Sequence, residues 1–244
     1  MLLDMAIMLL RAGASGRRIR NTISQLALAY QYSYFIDLGP KSISITLLDN
    51  QGHSVFNGTR STQWYGVDFQ VISAIHRMTS AIAIHPWSLE EIKKEILRLQ
   101  KLPGYSRILI LLAVSIGGAA FCYSLGGHFG EMAVTFGATF CGLFVKQELQ
   151  KRSINIYVVT YICALVAAMF TGAFYVAHIG IRLENAYATC ALFLIPGVPL
   201  INSIIDLMDG NILYGIERGV NAMMHAFAIA FGLLTALFIY ITPT

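Results

Sequence analysis

Charged residues are scarce in this sequence. They make up 12% of its 244 residues, whereas 56% are hydrophobic and the mean hydropathy is +0.63. A water-soluble protein of this length could not bury so large an apolar excess in one core. The shortage of charge therefore excludes an ordinary soluble domain and predicts that much of the chain lies in a lipid bilayer.

Cysteine is also scarce, and its spacing excludes two kinds of site. The four cysteines lie in apolar stretches without a Cys-x-x-Cys pair, at Cys122, Cys141, Cys163 and Cys190. Neither a zinc site nor a disulfide framework is expected, and no metal or cofactor is predicted. A cleavable signal peptide is not predicted either, because Asp4 interrupts the apolar stretch from Leu2 to Leu10 and no small-residue cleavage site follows.

The cations that are present lie mostly in the N-terminal part. Twelve of the seventeen Lys and Arg residues fall at or before Arg107. This asymmetry predicts an N-terminal lobe at residues 1–105 and a membrane domain at residues 106–244. The basic residues of the lobe are scattered among acids and lack interleaved aromatics, so we expect a solvated face beside lipid headgroups and no nucleic-acid partner.

The N-terminal part has the pattern of a compact α/β lobe. Apolar residues at helical spacing predict one helix over residues 19–30 and another over residues 67–82. Alternation of apolar and polar residues around a polar turn predicts a β-hairpin over residues 42–56. Ser88 and Glu91 have the spacing of a capping box and predict the start of a further helix.

Five apolar blocks follow and predict about five transmembrane helices. They cover residues 108–125, 131–145, 156–177, 186–208 and 220–241. The positive-inside rule places Lys146, Lys151, Arg152 and Arg218 in the cytoplasm with the N-terminus, and Arg182 outside with the C-terminus. The predicted fold class is therefore an α-helical multi-pass protein of the cell inner membrane with an N-terminal cytoplasmic α/β lobe.

The fourth block contains most of the chemistry. Its helix-breaking and polar residues are Pro196, Gly197, Pro199, Asn202, Ser203 and Asp206. The two prolines predict a helix that is kinked or broken near mid-membrane. In one interpretation, the freed backbone and a half-helix N-terminus receive an anionic substrate group, as broken helices do in secondary transporters. In the other, the helix is only kinked, and Asp206 and Asp209 are solvated.

Polar residues continue beyond this block. Arg218, Asn221 and His225 recur at helical spacing into the fifth block. His225 could couple transport to protons, or it could form a hydrogen bond between helices, and the sequence leaves both open. Glu131 and His128 lie at the outer end of the second block, where they are either interfacial or part of an exit path.

The run from Leu194 to Arg218 resembles the signature Pro-Gly-x-Pro-Leu-x-Asn-x-x-x-Asp-x-x-x-Gly-x-x-x-x-Gly-x-x-Arg of the N-terminal half of the threonine/serine exporter family. The matching positions are Pro196, Gly197, Pro199, Asn202, Asp206, Gly210, Gly215 and Arg218. The order of parts also agrees: Leu-Leu-Arg-Ala-Gly near the start, a hairpin-bearing lobe, then five apolar blocks. The chain departs from the pattern at Arg17, Arg18 and Arg20, where members often carry acidic residues.

The resemblance implies an exporter subunit that is not an enzyme. In fused members a second membrane half follows on the same chain, so a chain ending at Thr244 implies the larger subunit of the split type. Its partner would be a separately encoded small membrane subunit, in a higher oligomer. The implied substrate is a small carboxylate metabolite, either a dicarboxylate such as succinate or threonine/serine. The implied pathway residues are Pro196, Gly197, Pro199, Asn202, Ser203, Asp206, Arg218, Asn221 and His225.

Two other classes of function are alternatives to export. An intramembrane aspartyl protease would need a second carboxylate at the depth of Asp206, and Asp209, near the water, is poorly placed for this. A membrane-anchored metabolite sensor would bind its ligand through the lobe and use the spans only as an anchor. Five spans are more than an anchor requires. Substrate cleavage, or metabolite binding without flux, would favour these alternatives.

Overall fold

The computed structural model describes residues 1–39, 42–62, 66–152, 154–176 and 184–241. Two predictions fall outside these residues: the position of Arg182 and the end of the third apolar block at Ala177. The helices in chain order are α1 (Leu2–Arg11), α2 (Gly16–Ala29), α3 (Phe69–Ile84), α4 (Leu89–Gln100), α5 (Arg107–Ser124), α6 (Phe129–Leu149), α7 (Ile156–Val176), α8 (Glu184–Thr189), α9 (Gly197–Met208) and α10 (Ile212–Ile241). The strands are β1 (Ser33–Leu38), β2 (Ser42–Leu48) and β3 (Ser54–Ser61), and two short 3-10 helices cover Gln150–Arg152 and Leu192–Leu194.

The chain forms two compact units. The first unit comprises Met1–Pro103 together with Gly197–Val220, and the second comprises Gly104–Pro196 and the chain from Asn221 onward. The sequence predicts that segment 197–220 belongs to the membrane domain. In the structure this segment packs with the N-terminal residues, which no sequence pattern indicates.

Within the first unit, a three-stranded antiparallel sheet packs on helices. The strand order is β1-β2-β3, so the predicted hairpin of β2 and β3 is confirmed and β1 is an additional strand. Ile43 and Ile45 are fully buried on the sheet face that packs against α1. Burying a side chain of this size stabilises the fold by about 1.5–3 kcal/mol. The helices predicted over residues 19–30 and 67–82 are confirmed as α2 and α3.

The second unit is a helix bundle that packs through small residues. Gly118 of α5 faces Thr139 of α6, and Gly142 of α6 faces the backbone of Cys163 in α7. Arg107 at the start of α5 pairs with Glu148 near the end of α6, and Gly137, earlier in α6 than Gly142, faces Phe170, later in α7 than Cys163. The helices α5, α6 and α7 therefore run antiparallel in turn. His225 of α10 bonds to Thr160 near the start of α7, and a bond from Tyr240 to the Met169 carbonyl lies further along both helices. The helices α7 and α10 therefore run in parallel.

Among the described residues, three helices are long and apolar enough to cross a membrane: α5, α7 and α10. A fourth span results if α8, the following 3-10 helix and α9 count as one interrupted crossing. The helix α6 is 21 residues long, longer than the predicted block, but it carries Glu131, Lys146 and Glu148 and is not among the three. A multi-pass helical membrane protein is thus confirmed, while the count of five spans stays a prediction.

The predicted capping box at the start of α4 is confirmed and leads to a pH-dependent prediction. The backbone N–H and hydroxyl of Ser88 donate to Glu91 at 2.7 and 2.8 Å and hold the pKa of Glu91 below its usual range. A carboxyl group with a lowered pKa stabilises the fold above its unfolded pKa, and this contribution is lost as the pH falls through its folded pKa. We expect Ser88→Ala to lower the thermal midpoint at neutral pH by about 2–4 °C, and by less at about pH 3.

The matched control for this prediction is Ser106→Ala. The Ser106 side chain caps α5 by accepting from the Leu109 N–H, and the third helical position there carries no acid. Its effect on the thermal midpoint should therefore be the same at both pH values. Equal effects of Ser88→Ala at neutral and acidic pH would show that Glu91 does not contribute through its charge.

Candidate functional site

The predicted interruption of the fourth apolar block is present. A 3-10 helix ends at Leu194, and α9 begins at Gly197. Ile195 has an extended backbone, with φ −62° and ψ 125°, which is the conformation that a following proline favours. Pro199 lies in the first turn of α9, where its missing N–H breaks no helical bond. The prolines therefore separate two helical pieces.

Asp206 of α9 is fully buried and accepts two hydrogen bonds within the first unit. Its Oδ1 accepts from the Gly16 N–H at 2.7 Å, and its Oδ2 accepts from Arg218 Nη1 at 3.0 Å. Gly16 is the first residue of α2, so its N–H has no partner inside its own helix. The carboxylate thus caps α2 and lies at the positive end of its dipole. The interpretation in which Asp206 is solvated is wrong.

Arg218 of α10 completes this buried pair. Its Nη2 donates to the Ala14 carbonyl at 2.7 Å and to the Tyr214 hydroxyl at 2.6 Å. Its guanidinium carbon lies 4.4 Å from the centroid of the Tyr214 ring. Only 11% of the Arg218 side chain is exposed. An ion pair this buried is tolerated because both partners have further hydrogen bonds.

The helix α9 and the first part of α10 form a helical hairpin, which we call the α9–α10 hairpin (Gly197–Val220). The other polar residues of the signature hold this hairpin in place. Asn202 Nδ2 donates to the Gly13 carbonyl at 3.0 Å, and the Ser203 hydroxyl donates to the Gly215 carbonyl at 2.7 Å. Gly210 forms the turn between the helices with a φ of 79°, a left-handed value that favours glycine. The signature thus builds a hairpin and attaches it to the turn at Gly13–Gly16.

Two of the arginines that depart from the family pattern also contact this hairpin. Arg17 forms an ion pair with Asp209, and Arg20 donates to the side-chain oxygen of Asn211. The hydrogen bond from Arg17 lowers the pKa of Asp209. The basic face of α2 therefore has structural partners in the same unit.

Asn221 and His225 lie in the second unit, where they bond to α7. Tyr157 donates its hydroxyl to Asn221 Oδ1 at 2.5 Å, and the Thr160 hydroxyl lies 3.0 Å from His225 Nδ1. The rings of Tyr157 and His225 are 5.0 Å apart between centroids. The predicted pathway residues therefore fall into two groups, one around Asp206 and Arg218 and one around His225.

Glu131, at the other end of the second unit, is also buried. Its carboxylate accepts from the N–H and the side-chain amide of Asn185, at 3.1 and 3.4 Å, and from the His128 N–H at 3.1 Å. The side chain is 2% exposed, so it is not an open interfacial group. It caps the N-terminal turns of α6 and α8.

The partners of both groups could not be identified from the sequence. They are Gly13, Ala14 and Gly16 in the first unit, and Tyr157 and Thr160 in the second. The sequence Gly13-Ala-Ser-Gly16 did carry a signal, since glycine typically ends a helix and serine caps the next one. Within the part of the chain that the structure describes, no three His, Cys, Asp or Glu side chains are grouped as a metal site would require.

Comparison with known proteins points to one family. The family model described as "Putative threonine/serine exporter" matches residues 1–240. A protein of Klebsiella aerogenes described as "Probable succinate transporter subunit YjjP" is 25% identical over 239 residues, covering 95% of this chain and 90% of that protein. A protein of the same description from Escherichia coli (strain K12) is 24% identical over 235 residues, covering 96% and 91%. No solved structure matches the chain.

Proposed function

This chain belongs to the threonine/serine exporter family, and on that premise we propose that it is one subunit of a secondary exporter for a small carboxylate metabolite. The candidate substrates are dicarboxylates such as succinate and the hydroxy amino acids threonine and serine. The substrate class follows the descriptions of the family and of the two relatives. Transport would proceed by alternating access coupled to an ion or proton gradient.

The observation that carries this proposal is the interruption at Ile195 and Pro196. It divides an apolar segment that would otherwise be long enough to cross the membrane as one helix. Irregular backbone at membrane depth is tolerated where it is buried in protein or lines a water-filled cavity. In secondary transporters such interruptions lie at the substrate site. The pathway role of Pro196, Gly197 and Pro199 rests on this argument.

The two groups of polar residues would then have different roles. Asp206 and Arg218 bond to each other and to the turn at Gly13–Gly16, so they act on transport by holding α9 in place. Asn221 and His225, on the bundle helix α10, line the pathway. The pairing of Asp206 with Arg218 speaks against an aspartyl protease, because that chemistry needs two carboxylates sharing one site.

The partner and the location complete the proposal. A relative described as a transporter subunit supports a partner, which we take to be a separately encoded small membrane subunit in a higher oligomer. The complex would lie in the cell inner membrane, with the N-terminal residues in the cytoplasm and the C-terminus outside. The cations between α6 and α7 support this orientation through the positive-inside rule.

Release of labelled metabolite from proteoliposomes tests the proposal. We expect release of succinate, threonine or serine only when both subunits are present and an ion or proton gradient is imposed. Pro196→Ala should remove most of this release, because Ile195 is then free to become helical and close the interruption. Pro103→Ala, which lies between α4 and α5, is the matched control and should retain the parental rate.

One result would overturn the proposal, and another would overturn the role given to the interruption. One is the absence of release of every candidate metabolite from correctly inserted protein that contains both subunits. The other is parental release by Pro196→Ala, together with a helix shown to be continuous through residue 195. The second result would leave export standing and remove the interruption from its mechanism.

A further inference from the structure

Lys146 is a half-buried cation near the end of α6. Among the described residues, no carboxylate lies within ion-pair distance of its ammonium group. Glu148, two residues further along α6, is bound by Arg107 at 2.5 Å and by Lys151 at 2.9 Å. A cation on an apolar helix is costly unless water, protein or an anion compensates its charge. Lys146 is therefore a candidate contact for an anion.

Helix packing places Lys146 beside the polar group on α7 and α10. A side-chain carbon added at Gly142 would lie 3.2 Å from the carbonyl oxygen of Cys163. Because α6 and α7 are antiparallel, Lys146, one turn after Gly142, lies opposite the turn that precedes Cys163 and contains Thr160. The ammonium group of Lys146 lies near enough to the Cys163 thiol and the His225 imidazole for its charge to act on both. The cation therefore faces the group that contains His225.

The hydrogen bonds of this group determine which donors remain available. Thr160 donates its single hydroxyl proton to the Ile156 carbonyl at 2.9 Å, so its oxygen accepts from His225 Nδ1–H at 3.0 Å. In the neutral imidazole Nε2 is then an acceptor, so His225 supplies no further donor. The Tyr157 hydroxyl occupies Asn221 Oδ1, which leaves the amide N–H groups of Asn221 to donate.

We propose that Lys146 and Asn221 bind a carboxylate group of the transported metabolite. This inference rests on the proposed function and deepens it, because it assigns the substrate charge to a site in the second unit. The ammonium group of Lys146 supplies the countercharge, and the Asn221 amide supplies a directed hydrogen bond. Tyr157 is a positioning residue that fixes the amide. The α-carboxylate of an amino acid or one end of a dicarboxylate fits this chemistry.

Thermal unfolding of the purified two-subunit complex in nanodiscs of neutral phosphatidylcholine tests the site. The probes are succinate with its neutral diamide, and threonine with threoninamide, which keeps the α-amino group and replaces the carboxylate by an amide. We expect at least one of the two carboxylates to raise the midpoint of the parent and of Lys146→Arg, and neither amide to do so. In Lys146→Gln, the concentration of that carboxylate needed for half the effect should rise about tenfold to a hundredfold. Lys151→Gln is the matched control and should behave as the parent.

Several outcomes would overturn the site. One is that Lys146→Gln and Lys151→Gln need the same carboxylate concentration for half of the rise in midpoint. Another is loss of the Lys146 dependence when anionic phosphatidylglycerol is added, since a lipid phosphate would then be the occupant. A third is loss of the small subunit from Lys146→Gln during purification, since the counter-ion would then lie on the partner.

Metabolite release separates this inference from the proposed function. If the parent releases no metabolite but still shows carboxylate binding that depends on Lys146, the site stands and the exporter proposal falls. If the parent releases metabolite and Lys146→Gln has an unchanged KM, the exporter proposal stands and the site falls.

Discussion

The Arg218→Ala variant is expected to lose about 3–5 kcal/mol of folding free energy, because removing one partner of a buried ion pair leaves the other charge uncompensated. Asp206 would keep its bond from the Gly16 N–H but lose its only cationic partner among the described residues. The Ala14 carbonyl and the Tyr214 hydroxyl would lose their donor as well. The measurement is chemical unfolding of the purified protein in detergent, followed by circular dichroism.

The matched control is Arg17→Ala, which also breaks an ion pair between α2 and the segment 197–220. The Arg17 side chain is 60% exposed, and pairs in that setting contribute little because water screens them. Its unfolding midpoint should stay close to that of the parent. The double variant Asp206→Leu with Arg218→Met should recover part of the loss, because it removes both buried charges together. Equal stability of Arg218→Ala and Arg17→Ala would contradict the structural role given to the buried pair.

A second large effect is expected at Gly16, where α2 comes closest to the α9–α10 hairpin. A Cβ atom at this position would lie 2.8 Å from Asp206 Oδ1 and 3.0 Å from Asn211 Nδ2. The carboxylate cannot move away freely, because Arg218 holds its other oxygen. We expect Gly16→Ala to destabilise the protein by about 1–3 kcal/mol, the usual cost of overpacking a filled core. Thermal unfolding in detergent measures the loss.

Gly104→Ala is the control for this substitution. No atom lies within 4 Å of a Cβ added at Gly104, and its φ is not left-handed. The thermal midpoint should therefore be unchanged or slightly higher, because alanine restricts the unfolded chain more than glycine does. A Gly16→Ala midpoint as high as that of Gly104→Ala would show that the close approach of α2 to Asp206 does not hold in solution.

Much of the first unit could be predicted from the sequence, because local patterns define its elements. The Ser88 capping box, the alternation in β2 and the helical spacing in α2 each depend on residues close together in the chain. The strand β1 was missed because Ser33–Leu38 lacks a clear alternation, and its extended conformation depends on pairing with β2. The start of α10 at Ile212 was also missed, since the apolar pattern used for the fifth block begins later.

The candidate site was predictable in its residue types but not in its geometry. The family signature singled out Asp206 and Arg218, yet the partner of Asp206 on α2 lies 190 residues earlier in the chain. Periodicity and motif spacing in the sequence do not predict a contact between residues so far apart in the chain. From the sequence, Lys146 indicates only the membrane topology, because its missing counter-ion becomes visible only when the partners of Glu148 are known.

The discontinuous makeup of the first unit constrains how a ribosome can produce it. The nascent chain supplies residues 1–103 first, and synthesis of residues 104–196 then takes about 5–20 s at typical translation speed. Until then the Gly16 N–H and the Ala14 carbonyl have not met Asp206 and Arg218, and Tyr214 is missing from the apolar core it later joins. The N-terminal residues therefore stay incompletely folded until Arg218 has been synthesised.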